Sequence, residues 1–419
     1  MSNYYLDSHS SDGFSNASFF YAGGDIIAYK IQDLINGTVN VARKIYGGGF
    51  IPLHRPVFEG NERQYLVDCI DSNFVSSVGV KVTEFEEKVA EFTGSKYAVA
   101  SVNGTAALHV AIELAGVKPG DEVISQALTF IATCNAISYV GAKPLFIDVD
   151  LDTMGLSPAA LKRFLERNAE KRANGTFNKT SGKKISACIP MHTFGFPCRI
   201  AEIAEICSDW DIALIEDAAE SLGSYVGSRH TGTSSSMATL SFNGNKVITT
   251  GGGGMIITDD SELAKRAKYI TTTAKVPHPY EFVHDEIGYN YRMPNLNAAL
   301  GCAQMERLDE FLMIKAQLAG QWDAFFHDRD VDFVKAINGN KANHWLNAII
   351  LDSRLDRDEF LKATNDNNVM TRPIWTLMSK LPMFKDCQTD GLENSLWLED
   401  RVVNIPSSVP DGALKKLDK

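Results

Sequence analysis

The 419-residue chain has no uninterrupted apolar stretch long enough to span a bilayer. Its first residues lack the charged region and following apolar run that mark a secretory signal. It has no internal repeat and no basic run with interleaved aromatics. The formal net charge is −11 at pH 7, so no nucleic-acid or membrane partner is expected, although a local basic pocket can still hold a phosphorylated ligand. The seven cysteines (Cys69, Cys134, Cys188, Cys198, Cys207, Cys302 and Cys387) are odd in number and form no CxxC pair. That usage argues against a disulfide framework or a zinc site and predicts reduced thiols in a cytoplasmic protein without a bound metal. The Asn-Gly-Thr triplet at Asn174 has the form of a glycosylation acceptor, which carries no meaning in that compartment.

What is present is ordinary for a folded chain: 44% hydrophobic and 22% charged residues. The length exceeds one core and predicts a large domain with a smaller partner. Residues 1–23 are rich in Ser, Gly and Asn, as a mobile or loosely docked tail would be. Residues 25–46 carry apolar residues at helical intervals and stop at Gly47-Gly48-Gly49, so residues 1–49 read as an N-terminal extension. From about Phe50 the chain alternates short apolar runs (97–102, 122–124, 143–149, 186–190 and 212–215) with helical segments. That alternation predicts an α/β fold with a mostly parallel sheet covered on both faces, spanning 50–303. Ligands of such sheets sit at the carboxyl ends of the strands. The polar stretch 166–184 has no apolar period and reads as a surface insertion. A long helical pattern from about Gln304 opens a small C-terminal α/β domain, 304–419.

Four short segments carry candidate chemistry. Lys246 follows a predicted strand through Ser241-Phe242-Asn243-Gly244-Asn245 and precedes the glycine run Gly251 to Gly254. A lysine on a fixed, glycine-lined loop can bond to a carbonyl and shuttle protons; the alternative is a solvated loop lysine. The strand Ile212 to Ile215 ends in Glu216-Asp217. A strand-end carboxylate can hold a protonated heterocyclic nitrogen; equally, Asp217 can be a helix N-cap. Asn103-Gly104-Thr105 lies between a strand and a helix, where first-turn amides bind phosphate. Thr129-Phe130 sits just beyond a strand, where the ring can stack on a flat heterocycle or lie in the core.

Taken in order, these segments resemble the DegT/DnrJ/EryC1/StrS sugar aminotransferases, a branch of the fold-type I pyridoxal-phosphate enzymes with the aspartate-aminotransferase architecture. The likeness runs from about Ile51 to Val409. It is strongest in FEEKVAEFTGSKYAVASVNGTAALHVAIELAGVKPGDEVI, IEDAAESLGS, SFNGNKVITTGGGGMIIT and EIGYNYRMPNLNAALG. The resemblance implies pyridoxal 5′-phosphate as cofactor, Lys246 as its Schiff-base lysine and Asp217 as the partner of the pyridine nitrogen. It implies a phosphate cup of Gly104, Thr105 and Ser241, a covering ring at Phe130, and Glu220 near the cofactor hydroxyl. Asn290, with Arg292 beside it, matches a position reaching the phosphate of the neighbouring subunit, which implies a homodimer with shared active sites. His192 matches a strand-end position and is taken as a substrate contact. Arg372, beside Trp375, is a candidate for the substrate's phosphates.

Within the family the wording is most similar to enzymes of bacillosamine and legionaminic-acid synthesis. That implies amination of C4 of a UDP-linked 2-acetamido-4-keto-6-deoxyhexose with L-glutamate as donor, for surface glycans. The alternatives are a GDP- or dTDP-linked keto sugar, a sugar dehydratase, in which that branch replaces the lysine with histidine, or a non-catalytic ligand-binding protein on the same scaffold.

Overall fold

The computed structural model describes the backbone of residues 18–417, with side chains from residue 30 onward. The expected tail thus lies outside the described residues as far as residue 17. The alternating runs build a seven-stranded sheet: β1 (Tyr97–Ser101), β2 (Glu122–Gln126), β3 (Lys143–Ile147), β4 (Ile185–Ile189), β5 (Ala213–Asp217), β6 (Met237–Ser241) and β7 (Gly254–Thr258). The spatial order is β1-β7-β6-β5-β4-β2-β3. Six strands are parallel, and β7 runs antiparallel to β1 and β6.

Both faces of the sheet are covered, so the strands read as near-continuous apolar runs. Val99, Ile215, Met237 and Ile256 face one core, shared with the helices Gly104–Leu114 and Ser261–Thr271. Ala100, Ala238, Leu240, Met255 and Ile257 face a second core, which the helix Asn295–Met305 closes. Successive strand residues point to opposite faces. The crossovers leave the carboxyl ends of β1, β2, β4, β5 and β6 along one edge.

The small domain is an antiparallel sheet of β8 (Asp332–Phe333), β9 (Asn347–Ile350), β10 (Arg372–Pro373) and β11 (Val402–Ile405), in the order β8-β9-β11-β10. Its core holds Trp322 and Phe326 of the helix Leu308–His327 and Phe360 of the helix Arg354–Asp366. The N-terminal helix joins this core. It runs Ser18–Tyr46, starting earlier than its apolar period indicates. Ile31, Leu34, Ile35, Val39 and Ala42 form its buried stripe. At Gly37 the helix approaches so closely that a Cβ would stand 2.9 Å from Phe325. Gly47 then ends it at φ +85°, its N–H donating to the Arg43 carbonyl at 2.8 Å.

The stretch 166–184, expected as a surface insertion, has regular structure that its lack of an apolar period did not indicate. It contains a hairpin of Ala169–Arg172 and Gly175–Asn178, turning at Ala173-Asn174-Gly175, with an Asn-Gly pair that is a hairpin signal in its own right. Its Asn178 is buried and donates to Glu122 Oε2 at 2.7 Å. All seven cysteines are free. Among the described residues no helix is long and apolar enough to cross a membrane.

Candidate active site

The strand ends open on a cavity of about 640 Å³ between the large sheet and the small domain. Gly104, Thr105, Phe130, Asp217, Glu220, Ser241, Lys246 and Arg372 all line it. Residues spread over 268 positions of sequence (372 − 104) therefore meet at one place.

Strand alternation sorts the two acids that end β5. Glu216 turns to the far side and accepts from Gly232 N (2.7 Å), Ser234 N (2.8 Å), Ser235 Oγ and His192 Nε2 (both 3.0 Å). Asp217 turns into the cavity. Its Oδ2 accepts from Thr133 Oγ1 at 2.6 Å, and its Oδ1 from Ala219 N at 3.2 Å. No helix follows it, so it is not an N-cap. Burial raises the Asp217 carboxyl above its ordinary range, while the Thr133 hydroxyl, the Ala219 amide and the Lys246 charge pull it back.

Lys246 is not a solvated loop lysine: its side chain is 13% exposed. Nζ lies 3.2 Å from Glu220 Oε1 and 3.8 Å from the centre of the Trp345 ring. The loop beneath it is pinned at several points. Phe242 N donates to Gly253 O at 2.8 Å, Asn297 Nδ2 to Thr250 O at 2.7 Å, and Trp345 Nε1 to Asn245 O at 2.5 Å. Glu220 is buried between Lys246 and the Phe194 amide, which donates to Oε2 at 2.9 Å. Phe194 holds that amide in place at φ +56°, a strained value for a bulky residue. Burial pushes the Glu220 carboxyl up to about 7, against the pull of Lys246 and the Phe194 amide.

At the other end of the cavity stands the first turn of the helix Gly104–Leu114. Asn103 caps it, accepting from Ala106 N at 2.8 Å, and the Gly104 and Thr105 amides of that turn have no partner within the helix. Two glycines make the turn possible. A Cβ on Gly104 would stand 3.0 Å from Ser241 Cβ, and one on Gly254 would stand 2.4 Å from the Asn103 carbonyl. The turn therefore lies directly against β6 and β7, with the Ser241 side chain beside it.

Phe130 is 46% exposed on the cavity wall, not in the core, with Trp375 at 6.1 Å between centroids. Trp375 in turn packs on Phe194 at 4.8 Å. Arg372 stands exposed on β10 at the cavity, its Nη1 donating to Asn365 Oδ1 and to the Thr371 carbonyl, each at 2.9 Å.

Two expected residues are elsewhere. His192 is fully buried behind β5, and its role as a substrate contact is corrected: its Nδ1 accepts from Cys198 N at 3.2 Å, so Nε2 carries the proton toward Glu216. A strand end brings a residue close to a cleft without deciding which face it takes. Asn290 is exposed and outside the cavity lining; its backbone pairs with Thr272. Thr133, Trp345 and Asn243 are site residues that the sequence pattern did not single out. Thr133 lies one helical turn beyond the Thr129-Phe130 signal, while Trp345 carries no local signal.

A buried carboxylate and a lysine facing one cavity, with a helix N-terminus at its other end, define the class of fold-type I pyridoxal-phosphate enzymes. The residues present fit that cofactor: amides at a close-packed turn for a phosphate, Asp217 for a ring nitrogen, Phe130 for a ring face and an accessible amine on Lys246. The chain belongs to the DegT/DnrJ/EryC1/StrS aminotransferase family, whose sequence profile matches residues 56–411. It is 37% identical over 343 residues to EpsN of Bacillus subtilis, named as a pyridoxal phosphate-dependent aminotransferase, covering 82% of this chain and 84% of the relative. It is 34% identical over 364 residues to GDP-perosamine synthase of Escherichia coli O157:H7, covering 85% and 93%. The fold matches that of the sugar aminotransferase Spr1654 from Streptococcus pneumoniae in its PMP form, with a TM-score of 0.78 at 20% identity over 88% of this chain and 96% of that one. The protein is a pyridoxal-phosphate-dependent aminotransferase of the sugar-modifying kind.

Proposed function

We propose that the enzyme moves the amino group of L-glutamate to C4 of a UDP-linked 2-acetamido-4-keto-6-deoxyhexose, using two half-reactions at one site. The observation that carries the catalytic part is the Lys246–Glu220–Asp217 arrangement on one cavity wall. When bound, pyridoxal phosphate supplies the carbonyl that carries the amino group and the ring that withdraws electrons. Gly104, Thr105 and Ser241 hold its phosphate. Asp217, fixed by Thr133 and Ala219, keeps a proton on the ring nitrogen. Phe130 covers the ring face. Lys246 would hold the cofactor's carbonyl carbon and, as a free amine, would move a proton to or from the substrate carbon that bears the amino group, and Glu220 would set where that amine rests.

The sugar nucleotide enters over the small-domain wall, where Arg372 offers a guanidinium to phosphate oxygens and Trp375 a flat apolar face. Local cations matter here because the net charge of −11 repels a diphosphate. We further infer a homodimer in which the partner copy brings Asn290 to the phosphate, which agrees with its exposed position away from its own cavity. A GDP-linked keto sugar is the second reading, favoured by the 34% identity to a GDP-perosamine synthase.

The test is competition at equal concentration between UDP-, GDP- and dTDP-linked 4-keto sugars with glutamate as donor, products read by mass spectrometry. Preference for the UDP-linked acetamido sugar is expected. Equal or faster amination of a GDP- or dTDP-linked sugar lacking the acetamido group transfers the assignment to that sugar.

A further inference from the structure

Behind Trp345 lies a second buried lysine that the reaction above does not use. Lys315 sits on the apolar stripe of the helix Leu308–His327, between Phe311 and Leu318, and is fully buried. An ammonium has three donors, and each of these three finds an acceptor on a different segment. Nζ donates to the Ser407 carbonyl at 2.6 Å, to His54 Nε2 at 3.0 Å and to the Trp345 carbonyl at 3.3 Å. His54 stays neutral and able to accept: burial holds its imidazole well below the ordinary range, with Lys315 and Lys246 adding to the effect. Burial also brings the Lys315 amine down to about 7. A leucine or methionine would fill the same stripe without that cost, so packing alone does not account for a lysine.

One of the three acceptor residues lines the cavity, and the other two adjoin a residue that does. Ser407 N donates to the Leu53 carbonyl at 2.7 Å, and Leu53 lines the cavity. Trp345 lines it too, with its indole N–H on the Asn245 carbonyl and its ring against Lys246 Nζ. One unbroken set of contacts thus runs from Lys315 through Trp345 to the amine of Lys246. It joins the chain's entry to the large domain at Leu53–His54, the start of β9 and the end of β11.

We propose that Lys315 is a positioning residue of this site: it ties the His54, Trp345 and Ser407 segments into one wall, and that wall seats the Lys246 amine. It has no exposed surface and touches no substrate, so it acts through Trp345. The inference rests on the assignment of Lys246 as the reacting lysine, and its test has an arm that does not depend on that assignment.

Lys315→Met keeps the volume and removes all three donors. The full-length protein, freed of cofactor, is labelled with trinitrobenzenesulfonate, and the rate at Lys246 is followed by peptide mass spectrometry. Release of the amine from its seat is expected to speed labelling at least about threefold, as loss of a held hydrogen-bonded geometry does. In the holoenzyme, kcat is expected to fall about tenfold while KM for glutamate stays within about twofold, the pattern of a displaced catalytic group. Phe360→Leu, in the small-domain core, is the control for general loosening and is expected to label at the wild-type rate. Where Lys315→Met does not fold, Lys315→Gln, which keeps a polar group and loses the charge, serves with the same expectation. Labelling of Lys246 at the wild-type rate in the folded Lys315 variant overturns the proposal whatever its kcat, and so does equal acceleration in Phe360→Leu. A wild-type protein that fails to transaminate would instead remove the functional assignment and leave the labelling result standing.

Discussion

At the scale of single residues, the site separates groups of similar type by their surroundings. Asp217 and Glu216 are adjacent acids, yet only Asp217 faces the cavity. Replacing Asp217 with alanine is expected to cost at least about tenfold in kcat, since a charged buried hydrogen bond contributes ~1.5–3 kcal/mol. Full activity with an unshifted cofactor absorption would show that Asp217 has no contact with the ring. Glu220 gives a pH prediction. Its carboxyl is pushed up from the ordinary carboxylate range to about 7, so the folded protein binds a proton there that the unfolded chain has released. Stability from this group is complete below its unfolded value and is lost as pH rises through about 7. The melting temperature of cofactor-free protein should therefore fall more steeply from pH 5 to about 7 in wild type than in Glu220→Gln; identical slopes would contradict it. His192→Phe should leave KM for both substrates unchanged and reduce stability by about 1–3 kcal/mol, because Glu216 loses a buried donor. Chemical denaturation measures the loss. A raised KM at unchanged stability would restore His192 as a substrate contact.

At the scale of elements, the cavity depends on how closely backbone segments approach. The turn at Asn103-Gly104 rests on β7 through Gly254, with no room for a methyl group. Gly254→Ala must move the turn, because the obstructing atoms are backbone rather than a flexible side chain. Affinity for pyridoxal phosphate is expected to drop about tenfold or more, as first-turn amides lose their alignment. Titration of the visible absorption reads this directly, and an unchanged dissociation constant would mean that these amides do not hold the phosphate. The glycine run 251–254 was legible as a place of tight backbone. Which strand it approached was not, because β7 is antiparallel and inserts between β1 and β6. Nothing in its local sequence states that pairing. The hairpin at 169–178 was missed for the opposite reason: its polar composition hid an Asn-Gly signal.

At the scale of the whole molecule, the shared-site reading predicts complementation. Lys246→Ala and Asn290→Ala variants, each of low activity, should recover up to about a quarter of wild-type turnover on mixing, since hybrid dimers contain one intact site. Recovery is measured after subunit exchange. A monomeric mass by light scattering with full activity would exclude it. The N-terminal helix belongs to this scale as well. Periodicity alone marked it as helical, but its stripe from Ile31 to Ala42 shows a face without saying what covers it. The cover proved to be the small domain, at Trp322, Phe326 and Phe360.

The sequence by itself determined the sheet strands other than β7, the loop that presents Lys246, the acid at the end of β5 and the turn at Gly104. Each depends on local properties: apolar runs, turn chemistry, and the order of chemical groups along the chain. Tertiary structure alone decided that His192 lies behind the sheet, that Trp345 covers Lys246 and that Lys315 holds Trp345 from the domain junction. Those facts depend on contacts between segments far apart in the chain, such as Lys315 with His54 and Ser407. A lysine on an apolar helical stripe looks the same in sequence whether its donors find three acceptors or none; only the packed domains bring the acceptors within hydrogen-bond reach.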